Sequence, residues 1–209
     1  MPKNKLIGQM VEMQNQLNKM IDADWKDKGS AWHRAVWVEC AECMDHLAYK
    51  WWKKQDVNME QVQMELVDIW HFLLSWAIQD KENISFLVDG AIFYSDLHDK
   101  TDLSDSIELL AMNAAGRELE YSINHFVWAL PLVDMDIESL FKMYAGKYTL
   151  NAFRQDDGYK DGTYRKQWHD GREDNEHLTA ILKAMSTIDD DFVADVYAAL
   201  SDRYQVEDE

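Results

Sequence analysis

The chain has 209 residues, 47% hydrophobic and 29% charged, a composition that suits one globular domain or two small ones and excludes intrinsic disorder. Its net charge of −18, from 39 acidic and 21 basic residues, excludes a general nucleic-acid or anionic-membrane binder, since such a surface repels polyanions. The most apolar stretch, Phe72 to Ile78, is too short to span a bilayer, and the N-terminal MPKNKLIGQM lacks a secretory-signal core, so a cytoplasmic protein is expected.

The only prolines are Pro2 and Pro131, so nothing between them forbids long helices. From Lys5 to Ile21, Leu6, Met10, Met13, Leu17 and Ile21 recur every three or four residues, which predicts an amphipathic helix. Gln14 and Asn18 share one face of it at i and i+4, and on spacing alone they read as a solvated stripe. Ala31 to Trp52 carries the same period through Val36, Cys40, Cys43, Leu47 and Trp51. The C-x-x-C spacing of Cys40 and Cys43 invites a redox or zinc reading, but no second Cys pair exists and no Gly or Pro turns the chain there. Two cysteines on one helical face read as packing. Met59 to Ile78 continues with Val62, Leu66, Ile69, Leu73 and Ala77.

Further helices are predicted over about Ser104 to Trp128, Ile137 to Phe153 and Asp189 to Tyr204, the last preceded by a Ser186-x-x-Asp189 capping pattern. Strand-like alternation is absent, so the fold class is all-α. Before the last helix, DDGYKDGTYRKQWHDGREDNEHL sets Gly158, Gly162 and Gly171 among basic and aromatic residues, which predicts a loop. Its cations on an acidic chain suit anion capture; a solvated connector is the plainer alternative.

The sharpest chemical signal is a repeated pair. Glu39-x-x-Glu42 lies on the second predicted helix and Glu65-x-x-Asp68 on the third, and residues three apart are neighbours on a helical face. Antiparallel packing of the two helices would let the pairs face each other. Their neighbours Val36, Trp37, Cys40, Leu66, Val67, Ile69 and Trp70 are apolar, and carboxylates in apolar surroundings must be paired or bound to cations. Oxygen-only ligands suit Mg²⁺, with Mn²⁺ as a substitute, bridging to substrate phosphates.

The stretches MQNQLNK, WVECAECMDHLAYKWWK, ELVDIWHFLLS and LNAFRQDDGYKDGTYRKQWHDGREDN together resemble the dimeric all-α dUTPases of the all-α NTP pyrophosphatase superfamily. That resemblance implies a helical bundle of the all-α NTP pyrophosphatase type, assembled as an intertwined homodimer. It implies one domain over residues 1–209, with carboxylate helices at 31–79, a variable helical middle at 81–136 and a phosphate-closing segment at 147–177. The activity implied is hydrolysis of dUTP to dUMP and pyrophosphate with two or more Mg²⁺ ions, water attacking the β-phosphorus. Glu39, Glu42, Glu65 and Asp68 match the metal ligands, with Glu39 or Glu42 as general base. Gln14 and Asn18 match positions that meet the uracil base, with Trp51 and His71 as pocket walls. Asn151, Arg154, Lys160, Tyr164, Lys166 and Asn175 match the late motif that closes on phosphates and sugar. Asp157 stands where Asn is expected before the Gly-Tyr-Lys turn, a change that turn geometry tolerates.

Rival readings are a same-fold pyrophosphatase that takes dCTP, dUDP or a broader range of nucleotides, a di-iron bundle and an acidic DNA mimic. A di-iron bundle wants Glu-x-x-His on two helices, whereas this chain offers Asp68-x-x-His71 and Glu42 with His46 at i+4. A DNA mimic has no use for the Lys/Tyr/Gly loop.

Overall fold

The computed structural model describes residues 2–95, 102–185, 188–189 and 191–205. Among them no strand occurs, only an isolated antiparallel bridge between Gln167 and Glu173. The helices in chain order are α1 (Lys3–Ile21), α2 (Trp32–His46), α3 (Met59–Asp80), α4 (Ile84–Tyr94), α5 (Leu103–Gly116), α6 (Leu119–Ala129), α7 (Ile137–Asp156), α8 (Asp174–Ala184) and α9 (Phe192–Tyr204). The fold is all-α. The chain divides into two compact units, Met1–Leu140 and Phe141–Glu209.

In the first unit α3 is the central element. It is apolar around most of its circumference, with Val62, Met64, Leu66, Val67, Ile69, Trp70, Leu73, Leu74 and Ala77 buried, as a helix enclosed by others must be. Asn58 starts it by accepting a hydrogen bond from the Gln61 N–H, and Lys81 stops it in the left-handed conformation. α2 runs antiparallel to it. At one end Trp32 stacks on Phe72 and donates to Gln79, and at the other His46 meets Glu65. α1 runs parallel to α3, so that Met10, Gln14 and Asn18 meet Trp70, His71 and Ser75 in turn. Phe126 of α6 stacks on Trp70 from another side, with ring centroids 4.9 Å apart.

The structure corrects two expected helix bounds. The second helix ends at His46 rather than Trp52, because Ala48 adopts φ 57° and breaks the hydrogen-bond ladder. An alanine there costs roughly 1 kcal/mol of backbone strain. The single helix expected over 104–128 is two, α5 and α6, divided where Arg117 caps α5 at φ 65°. α4, which periodicity did not single out, is capped by Asn83. The Ser186-x-x-Asp189 pattern falls partly outside the described residues, and α9 begins at Phe192.

The second unit is built around α7, α8, α9 and the turns of 157–173. Phe153 packs against Tyr164, Trp168, Tyr197 and Tyr204. Gly146 marks a close approach, since a Cβ there would lie 2.7 Å from the Leu182 side chain, which would have to shift. Gly158 is required twice over: its φ is 86°, and a Cβ would lie 2.0 Å from the Thr163 hydroxyl. α8 opens inside the expected loop with a reciprocal capping box between Glu173 and Glu176.

Candidate active site

Because α2 and α3 pack antiparallel, the E-x-x-E of one meets the start of the other. Carboxylate oxygens of Glu39, Glu42 and Glu65 all lie within 4.8 Å of one another. Glu65 is buried, Glu39 half-buried and Glu42 exposed, so the cluster grades from the helix interface out to water. Two unit charges 4.8 Å apart repel by about 1 kcal/mol in water and about 3 kcal/mol at an effective dielectric of 20. His46 Nε2 lies 3.4 Å from Glu65 and offers partial relief when protonated. Asp68, one turn beyond Glu65 and half-buried, lies outside this three-carboxylate group. The donors are oxygens alone, a hard set that fits a divalent cation of the Mg²⁺ type.

Cys40 and Cys43 are free and fully packed inside the helix pair. Burial, and then the charge of Glu65, pushes the Cys43 thiol up to about 12, and burial holds Cys40 higher still. Both are held in the thiol form at neutral pH, which disfavours the thiolate that a nucleophile or metal ligand needs.

The α1–α3 contact carries a second polar group. Gln14 and Asn18, which spacing alone reads as a solvated stripe, are 3% and 5% exposed. Gln14 Nε2 donates to Asn18 Oδ1 at 2.9 Å, and Asn18 Nδ2 donates to Ser75 Oγ at 2.9 Å. His71 Nδ1 lies 2.6 Å from Gln14 Oε1. Two amides, an imidazole and a hydroxyl are thus tied to one another by buried hydrogen bonds. Trp51 is not brought to this group's interior; it is 89% exposed in the turns after α2, edge-on to Trp52.

In the second unit, Asp174 gathers several of the expected residues. It is 1% exposed and receives Arg154 bidentately, Nε and Nη2 each at 2.8 Å, while the Tyr164 hydroxyl donates to it at 2.9 Å. Arg154 Nη1 donates to Asn151 Oδ1 at 3.0 Å. Burial, with the Asp174 charge adding to it, raises the Tyr164 pKa well above its ordinary value, so the phenol keeps its proton. Asn175 Oδ1 accepts from Lys147 Nζ, itself buried, at 2.9 Å. Lys160 and Lys166 are exposed on the glycine turns, with Lys166 Nζ 5.8 Å from the centre of the Tyr159 ring.

The sequence comparison decides the family. The profile of the dUTPase family matches residues 6–159, which is most of the chain. The chain belongs to the dUTPase family. No curated protein matches the sequence. A dUTPase acts on dUTP, and this chain is therefore a dUTP-hydrolysing enzyme of the all-α kind. The matched residues include both carboxylate pairs, Gln14, Asn18, His71, Asn151 and Arg154, and end just before Lys160. Among the described residues no helix is long and apolar enough to cross a membrane.

Four residues that sequence reasoning passed over belong to these groups. Ser75 stands at i+4 from His71 and repeats the Gln14–Asn18 spacing, a signal the sequence contains. Asp174 lies within the same EDN triplet as Asn175. His46 is at i+4 from Glu42, a spacing noted for iron and not for Glu65. Nothing in the sequence marks Lys147.

Proposed function

We propose that the enzyme hydrolyses dUTP to dUMP and pyrophosphate in a reaction that depends on Mg²⁺, with Mn²⁺ as a substitute. The observation that carries this is the convergence of Glu39, Glu42 and Glu65 in a chain of the dUTPase family. With Asp68 one turn away, these carboxylates would hold two or more ions. Bound Mg²⁺ would supply neutralisation of the triphosphate and a lowered pKa for attacking water. Glu42, the exposed member, or Glu39 takes the proton of that water. The water oxygen bonds to the β-phosphorus, the bond from that phosphorus to the bridging oxygen breaks, and dUMP leaves with that oxygen.

Gln14, Asn18 and His71 would bind the uracil edge, with Trp51 covering it once nucleotide is present. Lys160 and Lys166 are the cations proposed for the phosphates. Arg154 already donates from Nε, Nη1 and Nη2 to Asp174 and Asn151, which supports a role in holding the second unit's motif in shape, with Tyr164, Asn151 and Asn175. The active form is proposed to be a homodimer: Phe86 and Phe93 on α4 are 72% and 74% exposed, and an uncovered apolar face of that kind favours association. A cytoplasmic setting fits the free, buried cysteines. Pyrophosphate release from dUTP, dUDP, dCTP, dTTP and dATP, with Mg²⁺ and with a chelator, tests the reading. Turnover of dUTP far above the others, abolished by chelation, is expected; equal turnover of all, or turnover indifferent to the chelator, would reject it.

A further inference from the structure

We infer that Ser75 is a positioning residue that sets the base preference of the site, by fixing the direction of a closed ring of hydrogen bonds through Asn18, Gln14 and His71. The inference rests on the reading above, that these side chains meet the base.

The ring begins and ends on His71. The Ser75 hydroxyl donates to the backbone carbonyl of His71 at 2.9 Å. A hydroxyl has one proton, so towards Asn18 the Ser75 oxygen must accept, and Asn18 turns its amino group to Ser75. Asn18 Oδ1 then faces Gln14 and accepts from Nε2, which turns Gln14 Oε1 towards His71. A carbonyl oxygen only accepts, so the imidazole carries its proton on Nδ1. Four members are thereby set in one direction by a backbone carbonyl that has no other choice.

The opposite direction is sterically equivalent. Ser75 would donate to Asn18 Oδ1, Asn18 Nδ2 to Gln14 Oε1, and Gln14 Nε2 to an unprotonated His71 Nδ1. That ring loses the Ser75 bond to the His71 carbonyl and so has one hydrogen bond fewer. One net hydrogen bond favours the observed direction by about fivefold. Reversal exchanges the oxygen and amino positions of both amides. Uracil and cytosine differ by the same exchange, N3–H and a carbonyl against a bare N3 and an amino group. The direction of the ring therefore decides which pyrimidine edge is matched, and Ser75, 0% exposed and ten residues along α3 from Glu65, decides the direction.

Two measurements test this. In the nucleotide-free protein, ¹⁵N NMR of the His71 imidazole should show the Nδ1–H tautomer in the wild type and a mixture in Ser75→Ala. In the enzyme, Ser75→Ala should lower the dUTP-to-dCTP ratio of kcat/KM by about fivefold. The change should sit in KM rather than kcat, and Ser75→Thr, which keeps the hydroxyl, should restore the ratio. An Nε2–H tautomer in the wild type, or an unchanged ratio in Ser75→Ala, would overturn the inference. A wild type with Nδ1–H that releases no pyrophosphate from dUTP would overturn the functional reading and the preference with it, while leaving the ring direction standing.

Discussion

The two units handle clustered charge in opposite ways. In the first, three carboxylates of like sign are brought within 4.8 Å by the α2–α3 packing. In the second, the buried Asp174 meets its counter-charge, Arg154, inside the same unit, and the hydroxyl of Tyr164 as well. A like-charge cluster calls for a cation from outside; a paired charge calls for nothing and holds its own segment in shape. The contrast teaches that residue type alone does not say whether a charge is met within the fold: Glu39, Glu42 and Glu65 gather like charges, whereas Asp174 has its counter-ion beside it.

The largest effect that would sharpen the contrast is on stability. Removing one partner of the buried Arg154–Asp174 pair leaves the other charged and buried, so Asp174→Ala is expected to destabilise the second unit by about 3–5 kcal/mol. Urea unfolding monitored by a probe in that unit, such as Trp168, measures this. An unchanged midpoint would mean that the pair braces nothing. Next comes activity: Glu42→Gln and Glu39→Gln keep the shape and remove a charge, and each is expected to lower dUTP turnover in saturating Mg²⁺ by at least ~10²-fold. Near-normal turnover in both would remove the cluster from the chemistry.

The smallest effect is on pH dependence in the second unit. His177 is stacked on Trp168 with its Nε2 3.1 Å from Asp170, and burial lowers its pKa below the ordinary 6.5. Between that lowered value and 6.5 the unfolded chain binds a proton that the folded chain refuses. Stability should therefore fall as the pH drops below 6.5 and level off once the folded pKa is passed. Asp170 is held far below the usual carboxylate range by Arg172, so its own loss comes only in stronger acid. His177→Gln should flatten the first decline and leave the second; a decline of equal size in the variant would assign it elsewhere.

How much of this could be read from the sequence follows from what each feature depends on. α1, α3 and α7 follow from periodicity because their buried faces are continuous, and the carboxylate pairing follows from i, i+3 spacing on two adjacent helices. The end of α2 does not follow, because LAYKWWK contains no breaker and the turn is forced on an alanine, Ala48. α8 was hidden by loop-like composition although its Glu173–Glu176 capping box is written in the sequence. The exposed reading of Gln14 and Asn18 that spacing suggests fails because their partners, His71 and Ser75, lie 57 positions away. Arg154 looks like a phosphate ligand by type, and only the fold brings Asp174, twenty residues on, against its guanidinium.

The central claim, that Glu39, Glu42 and Glu65 form the divalent-cation site, is tested most directly by Mn²⁺ binding read from the loss of the free-ion EPR signal. The comparison is between wild type and Glu65→Gln, each without nucleotide. The wild type should deplete free Mn²⁺ stoichiometrically and be competed by Mg²⁺, and the variant should bind at least tenfold more weakly, the scale of one lost charge at an effective dielectric near 20. Equal Mn²⁺ affinity in the two proteins would contradict the account.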